Sequence, residues 1–309
     1  MDFLKGHNAN FILTSQLGRK GKFGGVWRGT TDDGRPVSVK CMSRYHPDLP
    51  QLLGRLAGVR HECVSPVIDS FVADDGQLYV VRPFYEGTDL KTIFTDKDLY
   101  RKVDERKFLD AGRAILEGLS AVHACGIVHR DIKPSNIVVV HPPEVAPQDA
   151  DFGRLKIIDF EQCGAYPDHS GVRAPFSLIY SPPEALLKYN QLIGPWSDLF
   201  ALSVTLFQLI MGKAPYTDCN PEVLINLQLT YPMKQPARMD DALFAVLSKA
   251  AYKQRFPLPP RRMTPAAIEQ TLRQGVEGRY ASAAEMLDDL RRVDRTFKEV
   301  GWFTRVFGQ

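Results

Sequence analysis

The chain is poor in cysteine, and the few cysteines that it has are scattered. Five occur in 309 residues, so their number is odd, and none belongs to a CxxC pair. This pattern excludes a disulfide-framed secreted domain and a zinc ribbon, and it favours free thiols in a reducing compartment. The first residues, MDFLKGHNANF, also lack the positive-then-apolar layout of a secretory signal. We therefore expect a cytoplasmic protein.

Long apolar runs and a strong net charge are absent as well. The longest apolar stretch, 199–211, contains three polar residues and is shorter than the ~20 residues that a membrane span needs. A formal charge of +3 gives no reason to expect nucleic acid or an anionic membrane as a partner. The sequence thus predicts a soluble chain with no membrane span and no nucleic acid partner. Nothing in it supports or excludes a homodimer.

Strand and helix patterns divide the sequence unequally. The first quarter contains short β-type runs separated by Gly and Asp-Asp-Gly turns, including a hairpin signal at 73–76. From about residue 88 the apolar residues recur at helical spacing. Four segments have this spacing: 108–123, 199–210, 242–251 and 283–293. We therefore predict an α+β fold of two lobes, with a β-rich N-lobe at 1–83 and a mainly helical C-lobe at 84–309.

One segment carries most of the chemical information. Residues 127–137 read Ile-Val-His-Arg-Asp-Ile-Lys-Pro-Ser-Asn-Ile. This segment resembles, position for position, the catalytic loop of eukaryotic-type serine/threonine protein kinases. Phosphoryl transfer needs a carboxylate to accept the hydrogen of the substrate hydroxyl, which suits Asp131, and an oxygen ligand for metal, which suits Asn136. The resemblance assigns Lys133 to the transferred phosphate.

Residues for nucleotide binding lie on both sides of this loop. Gly21, Gly24 and Val26 lie between two predicted strands, where glycines let backbone N–H groups approach phosphate oxygens. Lys40 ends the next strand, and the resemblance places it on the α and β phosphates of ATP. The resemblance further implies an adenine pocket formed by Val26, Ser38, Arg82, Pro83, Phe84, Tyr85 and Val138.

Two aspartates compete for the role of metal ligand. Asp151-Phe-Gly spells the motif of the family, whereas Asp159 is followed by Phe and Glu. The aspartate of the family ends a short apolar strand, and 155–158 supplies such a strand directly before Asp159. We therefore assign Mg²⁺ or Mn²⁺ to Asp159 together with Asn136, and interpret Asp151 as part of an enlarged turn.

Further resemblance extends the match to roughly residues 13–293. Glu184, in Tyr-Ser-Pro-Pro-Glu, stands where the family has its APE motif and is expected to pair with Arg279. Asp198 opens a buried helix and is expected to brace the catalytic loop, and Ser177 is expected to hydrogen-bond toward the same loop. The wording around Arg279 is typical of bacterial members.

The sequence departs from the family at the back of the cleft. No glutamate lies between Lys40 and His61, so the acid with which helix C pairs with the lysine is missing. Glu161 replaces the glycine of the metal-binding motif, Arg82 stands at the usually apolar gatekeeper position, and the glycine loop has one extra residue. A buried charge without a partner is costly. One hypothesis therefore pairs Glu161 with Lys40, Arg82 or both; in the alternative, Arg82 turns its charged head to solvent.

The function implied by the resemblance is ATP-dependent phosphorylation of serine and threonine in protein substrates, with autophosphorylation included as an option. The alternative is a pseudokinase, a nucleotide-binding or scaffolding module with little or no turnover. The missing helix C acid favours it, whereas the presence of Lys40, Asp131, Asn136 and Asp159 opposes it. A small-molecule kinase of the aminoglycoside type ranks last, because such enzymes lack the counterpart of Lys133.

Overall fold

The N-terminal part of the chain folds into a curled antiparallel sheet. The structure, a computed structural model, describes residues 2–21, 24–168 and 177–293. Six strands are ordered β1-β2-β3-β4-β6-β5. Their bounds are β1 (Asp2–Lys5), β2 (Asn10–Gly21), β3 (Gly24–Thr31), β4 (Pro36–Met42), β5 (Asp69–Val72) and β6 (Leu78–Pro83). The predicted hairpin at 73–76 joins β5 to β6, and the N–H of Gly76 donates to the carbonyl of Ala73.

The alternation of β4 decides which side chains face the cleft. Val37 and Val39 point into a small apolar core shared with Phe11, Phe71 and Val81. Because successive side chains of a strand point to opposite faces, Ser38 and Lys40 lie on the other face. The register places Lys40 between Val26 of β3 and Val80 of β6, and Ser38 beside Arg82. One face of the sheet therefore presents these side chains to the helical lobe.

A single short helix, α1 (Leu49–Leu56), links the sheet to the rest of the molecule. Its buried face consists of four leucines, at positions 49, 52, 53 and 56, which follow the spacing of one helical stripe. These leucines belong to the large apolar core of the C-terminal lobe, which also contains Phe160. The lobe boundary at residue 83 stays a prediction, since α1 packs with the helical lobe.

The C-terminal lobe is mainly helical. Its helices are α2 (Leu90–Thr95), α3 (Lys97–Lys102), α4 (Glu105–Ala124), α5 (Pro183–Leu186), α6 (Pro195–Met211), α7 (Pro221–Thr230), α8 (Asp241–Ala250), α9 (Pro265–Glu277) and α10 (Ala283–Val293). Its short strands are β7 (Gly87–Asp89), β8 (Ile127–Val128), β9 (Ile137–Val140), β10 (Leu155–Ile157) and β11 (Gly164–Ala165). They form a sheet of order β10-β9-β7 and a pair β11-β8. The four helices expected from apolar spacing are confirmed as α4, α6, α8 and α10.

Two predicted regions extend past the described residues. Residues 294–309 of the expected C-lobe lie outside them, as do residues 22 and 23 of the expected glycine loop. Within the described ranges, no helix combines the length and the apolar character that a membrane crossing requires.

A buried ion pair connects α5 to the chain just after α9. Nη1 of Arg279 lies 2.7 Å from Oε1 of Glu184, and Nη2 lies 3.2 Å from Oε2. Ser197 donates to the same Oε1 at 2.8 Å, and Nε of Arg279 donates to the carbonyl of Tyr252 at 2.8 Å. The predicted pair is therefore confirmed, and its remaining hydrogen-bonding groups are satisfied within the fold.

Lys253 lies close enough to Arg279 for the two positive charges to interact. Its ammonium donates to Tyr216 Oη at 2.9 Å and to the carbonyl of Gln228 at 2.6 Å. Burial, together with the positive charge of Arg279, lowers the pKa of Lys253 to about 7. Near pH 7 the folded chain therefore holds this proton much more weakly than an exposed lysine does.

This lowered pKa predicts a pH-dependent stability. Between pH 7 and 10.5 the unfolded chain binds the proton of Lys253 more tightly than the folded chain, so the free energy of unfolding rises with pH. Lys253→Met should remove that rise. The free energy of unfolding of the variant, relative to that of the wild type, should therefore decrease between pH 6.5 and pH 9.5. Urea unfolding at several pH values measures this, with the exposed Lys91→Met as control. Equal slopes for the wild type and Lys253→Met would contradict it.

Candidate active site

The catalytic loop lies between β8 and β9 and is held by an aspartate of α6. Asp198 is fully buried, and its two carboxylate oxygens accept the backbone N–H groups of His129 and Arg130, each at 2.8 Å. His123 Nε2 contacts the same carboxylate at 2.9 Å. Burial alone raises the pKa of Asp198, but the hydrogen bond from His123 and the nearby positive charge outweigh it and lower the pKa. The expected brace is therefore confirmed.

The bracing has a local cause in the backbone. Arg130 has φ of 66°, a left-handed conformation that is costly for any residue with a Cβ. Its side chain is also fixed, because Nη2 lies 2.7 Å from Oδ2 of Asp168 and both side chains are buried. The strained turn is thus stabilised on its backbone by Asp198 and on its side chain by Asp168.

Asp131 follows this turn, and its carboxylate is held in one orientation. Oδ1 accepts the hydroxyl of Ser177 at 2.5 Å, while Oδ2 accepts Nζ of Lys133 at 2.6 Å and Nδ2 of Asn136 at 3.0 Å. Lys133 also contacts the Ser177 hydroxyl at 3.0 Å. The expected contact of Ser177 with the loop is confirmed. In this orientation the carboxylate of Asp131 is suited to accept a hydrogen bond from a further hydroxyl.

A cavity of about 260 Å³ lies between the sheet and the catalytic loop. It is lined by every residue of the expected adenine pocket, together with Lys40, Asn136 and Asp159. Gly24 is not among the described residues that line it, and its backbone pairs with that of Gly21 where β3 begins. Asp131 borders a separate cavity of about 20 Å³, and Lys133 lies beside Asp131.

Five lining residues were missed by the sequence reasoning: Leu17, Ser65, Val80, Ser135 and Ile158. Val80 could have been found, because the strand spacing puts it on the same face as Arg82. Leu17 and Ile158 could have been found as apolar residues beside the glycine loop and beside Asp159. Ser65 lies in a loop, and nothing in its neighbourhood points to the cleft.

The backbone at 83–85 limits how a base can be recognised. Pro83 has no N–H, so only its carbonyl can contribute. The N–H of Phe84 donates to the carbonyl of Pro36 at 3.0 Å. Within this segment, the N–H of Tyr85 is therefore the candidate donor to a nucleobase.

Four charged side chains meet at the back of the cavity. Glu161, whose side chain is 4% exposed, lies with Oε2 3.4 Å from Nζ of Lys40 and with Oε1 3.8 Å from Nε of Arg82. Lys40 also forms an ion pair with Asp159. The hypothesis that Glu161 pairs with both cations is confirmed. The alternative for Arg82 is wrong, because the residue is only 5% exposed and Nη1 donates to the carbonyl of Ser65 at 3.0 Å.

The charges in this cluster shift one another. Burial opposes the charged form of Lys40, but the carboxylates of Glu161 and Asp159 outweigh it and raise the pKa of the ammonium above its ordinary value. Burial likewise opposes ionisation of Asp159, yet the hydrogen bond with Glu161 and the charge of Lys40 hold its pKa well below the ordinary range. Burial and the neighbouring Asp159 raise the pKa of Glu161. Asp159 is thus the more acidic of the two carboxylates.

The two competing aspartates lie in different surroundings. Asp159 follows β10 and lines the cavity. Asp151 is exposed in a turn, where it accepts the N–H of Gly153 at 2.9 Å. Helix α1 supplies no replacement acid, because Asp48 at its start lies 3.7 Å from His46 and not at the cleft. The spelling of the motif is thus a poorer guide to the cleft than the strand before it.

The oxygen atoms in the cleft fit a hard divalent cation. Nδ2 of Asn136 donates to Asp131, whereas Oδ1 accepts the hydroxyl of Ser135 at 3.3 Å and has a second lone pair for a metal ion. With the Asp159 carboxylate this makes two oxygen donors on one cavity. Among the described residues, no group of three or more His, Cys, Asp or Glu side chains could hold a metal by itself. Magnesium is commonly held by one or two carboxylates plus substrate phosphates, so the donor set suits Mg²⁺ brought with a nucleotide.

Comparison with known proteins decides the family. The protein kinase domain matches residues 11–264. The chain belongs to the protein kinase family. The kinase chain is 27% identical over 277 residues to the serine/threonine-protein kinase PkaB of Streptomyces coelicolor, covering 84% of this chain and 61% of PkaB. It is 30% identical over 296 residues to the serine/threonine-protein kinase PknK of Mycobacterium bovis, covering 93% of this chain and 24% of PknK.

A eukaryotic relative is also similar. The kinase chain is 29% identical over 191 residues to the serine/threonine-protein kinase PAK 4 of Mus musculus, covering 59% of this chain and 29% of PAK 4. The chain therefore spans less than two thirds of the length of each of these relatives. The predicted α+β, two-lobed kinase fold and the assignment to the serine/threonine kinases are confirmed.

Proposed function

We propose that this kinase domain transfers the γ-phosphate of ATP to serine and threonine hydroxyls of protein substrates, its own chain among them. The observation that carries the proposal is the Asp131 carboxylate, held by Ser177, Lys133 and Asn136. The opposite wall carries Lys40, whose positive charge is suited to phosphate oxygens. The relatives PkaB and PknK are serine/threonine-protein kinases, which supports serine and threonine as acceptors.

Asp131 is the residue proposed to act on the acceptor. Its Oδ1 accepts Ser177 and, with two lone pairs, can accept the substrate hydroxyl as well. That contact orients the oxygen for attack on the γ-phosphorus of ATP. As the new O–P bond forms, the bond from the γ-phosphorus to the β,γ-bridging oxygen breaks, ADP leaves, and the carboxylate receives the proton of the hydroxyl. Lys133, beside both Asp131 and Ser177, places a positive charge where the charge of the migrating phosphoryl group spreads.

The other proposed roles concern the nucleotide. The adenine lies between Val26 and Ser38 on one side and Val138 on the other, Gly21 and Gly24 cover the phosphates, and Lys40 holds them. When bound, a Mg²⁺ or Mn²⁺ ion held by Asn136 and Asp159 would neutralise phosphate oxygens. Magnesium is the ion that we propose, because the donors are oxygen atoms. A cytoplasmic location remains a prediction from the cysteine pattern, and a homodimer has no support.

Transfer of labelled phosphate tests the proposal. The purified chain is incubated with γ-labelled ATP, Mg²⁺ or Mn²⁺ and a mixture of protein substrates, and the labelled residues are identified after acid hydrolysis. A parallel incubation contains an aminoglycoside in place of the protein substrates. We expect phosphoserine and phosphothreonine with the wild type and neither with Asp131→Ala. A wild type as silent as Asp131→Ala that still binds ATP would establish the pseudokinase instead. Label on an aminoglycoside but not on protein would establish the small-molecule kinase.

A further inference from the structure

Arg82 is a buried cation on the cleft wall. Its guanidinium has three neighbours, although Nε and Nη2 form no hydrogen bond among the described residues. Nη1 donates to the carbonyl of Ser65 at 3.0 Å, and Nε faces Oε1 of Glu161 at 3.8 Å. The guanidinium also lies over the ring of Phe160, 5.3 Å from its centroid. Removing a guanidinium from water is expensive unless such partners compensate. Two of the three partners belong to the segment that contains the proposed metal ligand.

That segment has a backbone that its surroundings must hold. Asp159 has φ of 65°, a left-handed conformation in a residue that carries a Cβ, and a 3₁₀ turn (Phe160–Gln162) follows it. Such conformations persist only where neighbouring structure fixes them. Phe160 is fully buried against His129 of the catalytic loop, with ring centroids 4.5 Å apart. The catalytic loop thus supports one side of the segment, and Arg82 lies against the other.

Glu161 connects Arg82 to the lysine of the cleft. Its two oxygens face different cations, Oε1 toward Arg82 and Oε2 toward Lys40. A carboxylate is planar, so a contact that fixes one oxygen also fixes the direction of the other. The buried face of helix α1 consists of leucines, so this face packs against the segment but contributes no charge to these contacts.

We propose that Arg82 is a positioning residue, which acts through Glu161 and Phe160 to hold Lys40 and Asp159 in their places on the cleft wall. In this chain the pair replaces an acid from helix α1. The proposal rests on the proposed function, since it assigns Lys40 and Asp159 to the nucleotide. A residue that only filled space at the back of the cavity would act independently of Glu161. The proposal predicts instead that the effects of substituting Arg82 and Glu161 on nucleotide binding are coupled.

A double-mutant cycle tests this directly. Arg82→Met keeps the length of the side chain without its charge, and Glu161→Gln keeps the shape of the carboxylate without its charge. The four proteins are compared in Kd for Mg·ADP and in kcat and KM for ATP. Each single variant should weaken nucleotide binding and kcat/KM by about tenfold, and the double variant should be at most about threefold worse than the poorer single one.

Controls separate positioning from folding. Arg291→Met removes an exposed arginine that pairs with Glu117 and should change none of these constants. Melting temperatures show which variants remain folded, and Arg82→Gln, which can still donate to the Ser65 carbonyl, takes the place of Arg82→Met if that variant does not fold.

Two results would overturn the proposal. One is a folded Arg82 variant with the Kd, kcat and KM of the wild type; the other is a double variant whose fold-loss equals the product of the two single fold-losses. A wild type without turnover would contradict the proposed function alone, because the Mg·ADP titration still measures the coupling between Arg82 and Glu161. Coupling in binding would then support the positioning role in a nucleotide-binding module, and independent effects would reject it.

Discussion

Asp131→Asn is expected to lower the rate of phosphoryl transfer by about 10²- to 10⁴-fold, the range associated with loss of a general base. The replacement has the same shape, and its amide oxygen can still accept a hydrogen bond from Ser177 or Lys133. It cannot take up the proton of the acceptor hydroxyl. Because Asp131 does not line the nucleotide cavity, Kd for Mg·ATP should change by no more than about twofold, and kcat should carry the loss.

The chain contains a matched control for this prediction. Asp151 is followed by Phe and Gly, as in the metal-binding motif of the family, yet it is exposed in a turn outside the cleft. Asp151→Asn should therefore retain the rate of the wild type, whereas Asp159→Asn should lose nucleotide affinity as well as rate. Steady-state kinetics and nucleotide titration of the three variants measure this. Loss of activity in Asp151→Asn would show that the assignment of the two aspartates is reversed.

Arg279→Met is expected to have the largest effect on stability, lowering the free energy of unfolding by about 3–5 kcal/mol. The replacement leaves the carboxylate of Glu184 fully buried beside Ser197 without its cation. The cost arises from that unpaired charge more than from loss of the attraction itself. For a chain of this size the melting temperature should fall on the order of 10 °C.

Two comparisons make the Arg279 result interpretable. Arg273→Met removes an exposed arginine that pairs with Glu269 one helical turn away, a pair worth about 0.5 kcal/mol or less. The double variant Glu184→Met, Arg279→Met removes both charges and should recover part of the lost stability. Thermal and urea unfolding provide the values. If Arg279→Met and Arg273→Met were equally stable, the buried pair would have no special role.

Local sequence was sufficient for the catalytic loop and insufficient for the walls around it. Asp131, Lys133 and Asn136 lie within six consecutive residues, so a contiguous pattern specifies their arrangement. Asp159 was separable from Asp151 because an apolar strand directly precedes it. The carbonyl of Ser65 could not be foreseen as a partner of Arg82, because any residue type supplies a backbone carbonyl.

Helices α7 and α9 were not predicted from the sequence, and the reason is again tertiary contact. Helix α7 buries Gln228, which donates to the carbonyl of Ile179 at 2.6 Å, and helix α9 buries Thr271 and Gly275 beside Leu272. Polar and small residues on a buried face interrupt the apolar stripe by which a helix is detected. Tertiary partners, not local pattern, stabilise those two faces.

The ion pairs of Lys40 have a consequence for how ligands compete in the cleft. Lys40 belongs to β4 of the sheet, whereas Asp159 and Glu161 belong to the segment after β10. Phosphate oxygens that reach Lys40 therefore compete with carboxylates that already neutralise it. The negative charge that the phosphates add is compensated only when a divalent cation engages Asp159. Nucleotide and cation should accordingly bind with positive cooperativity. The affinity for nucleotide should be much lower without the divalent cation than with it.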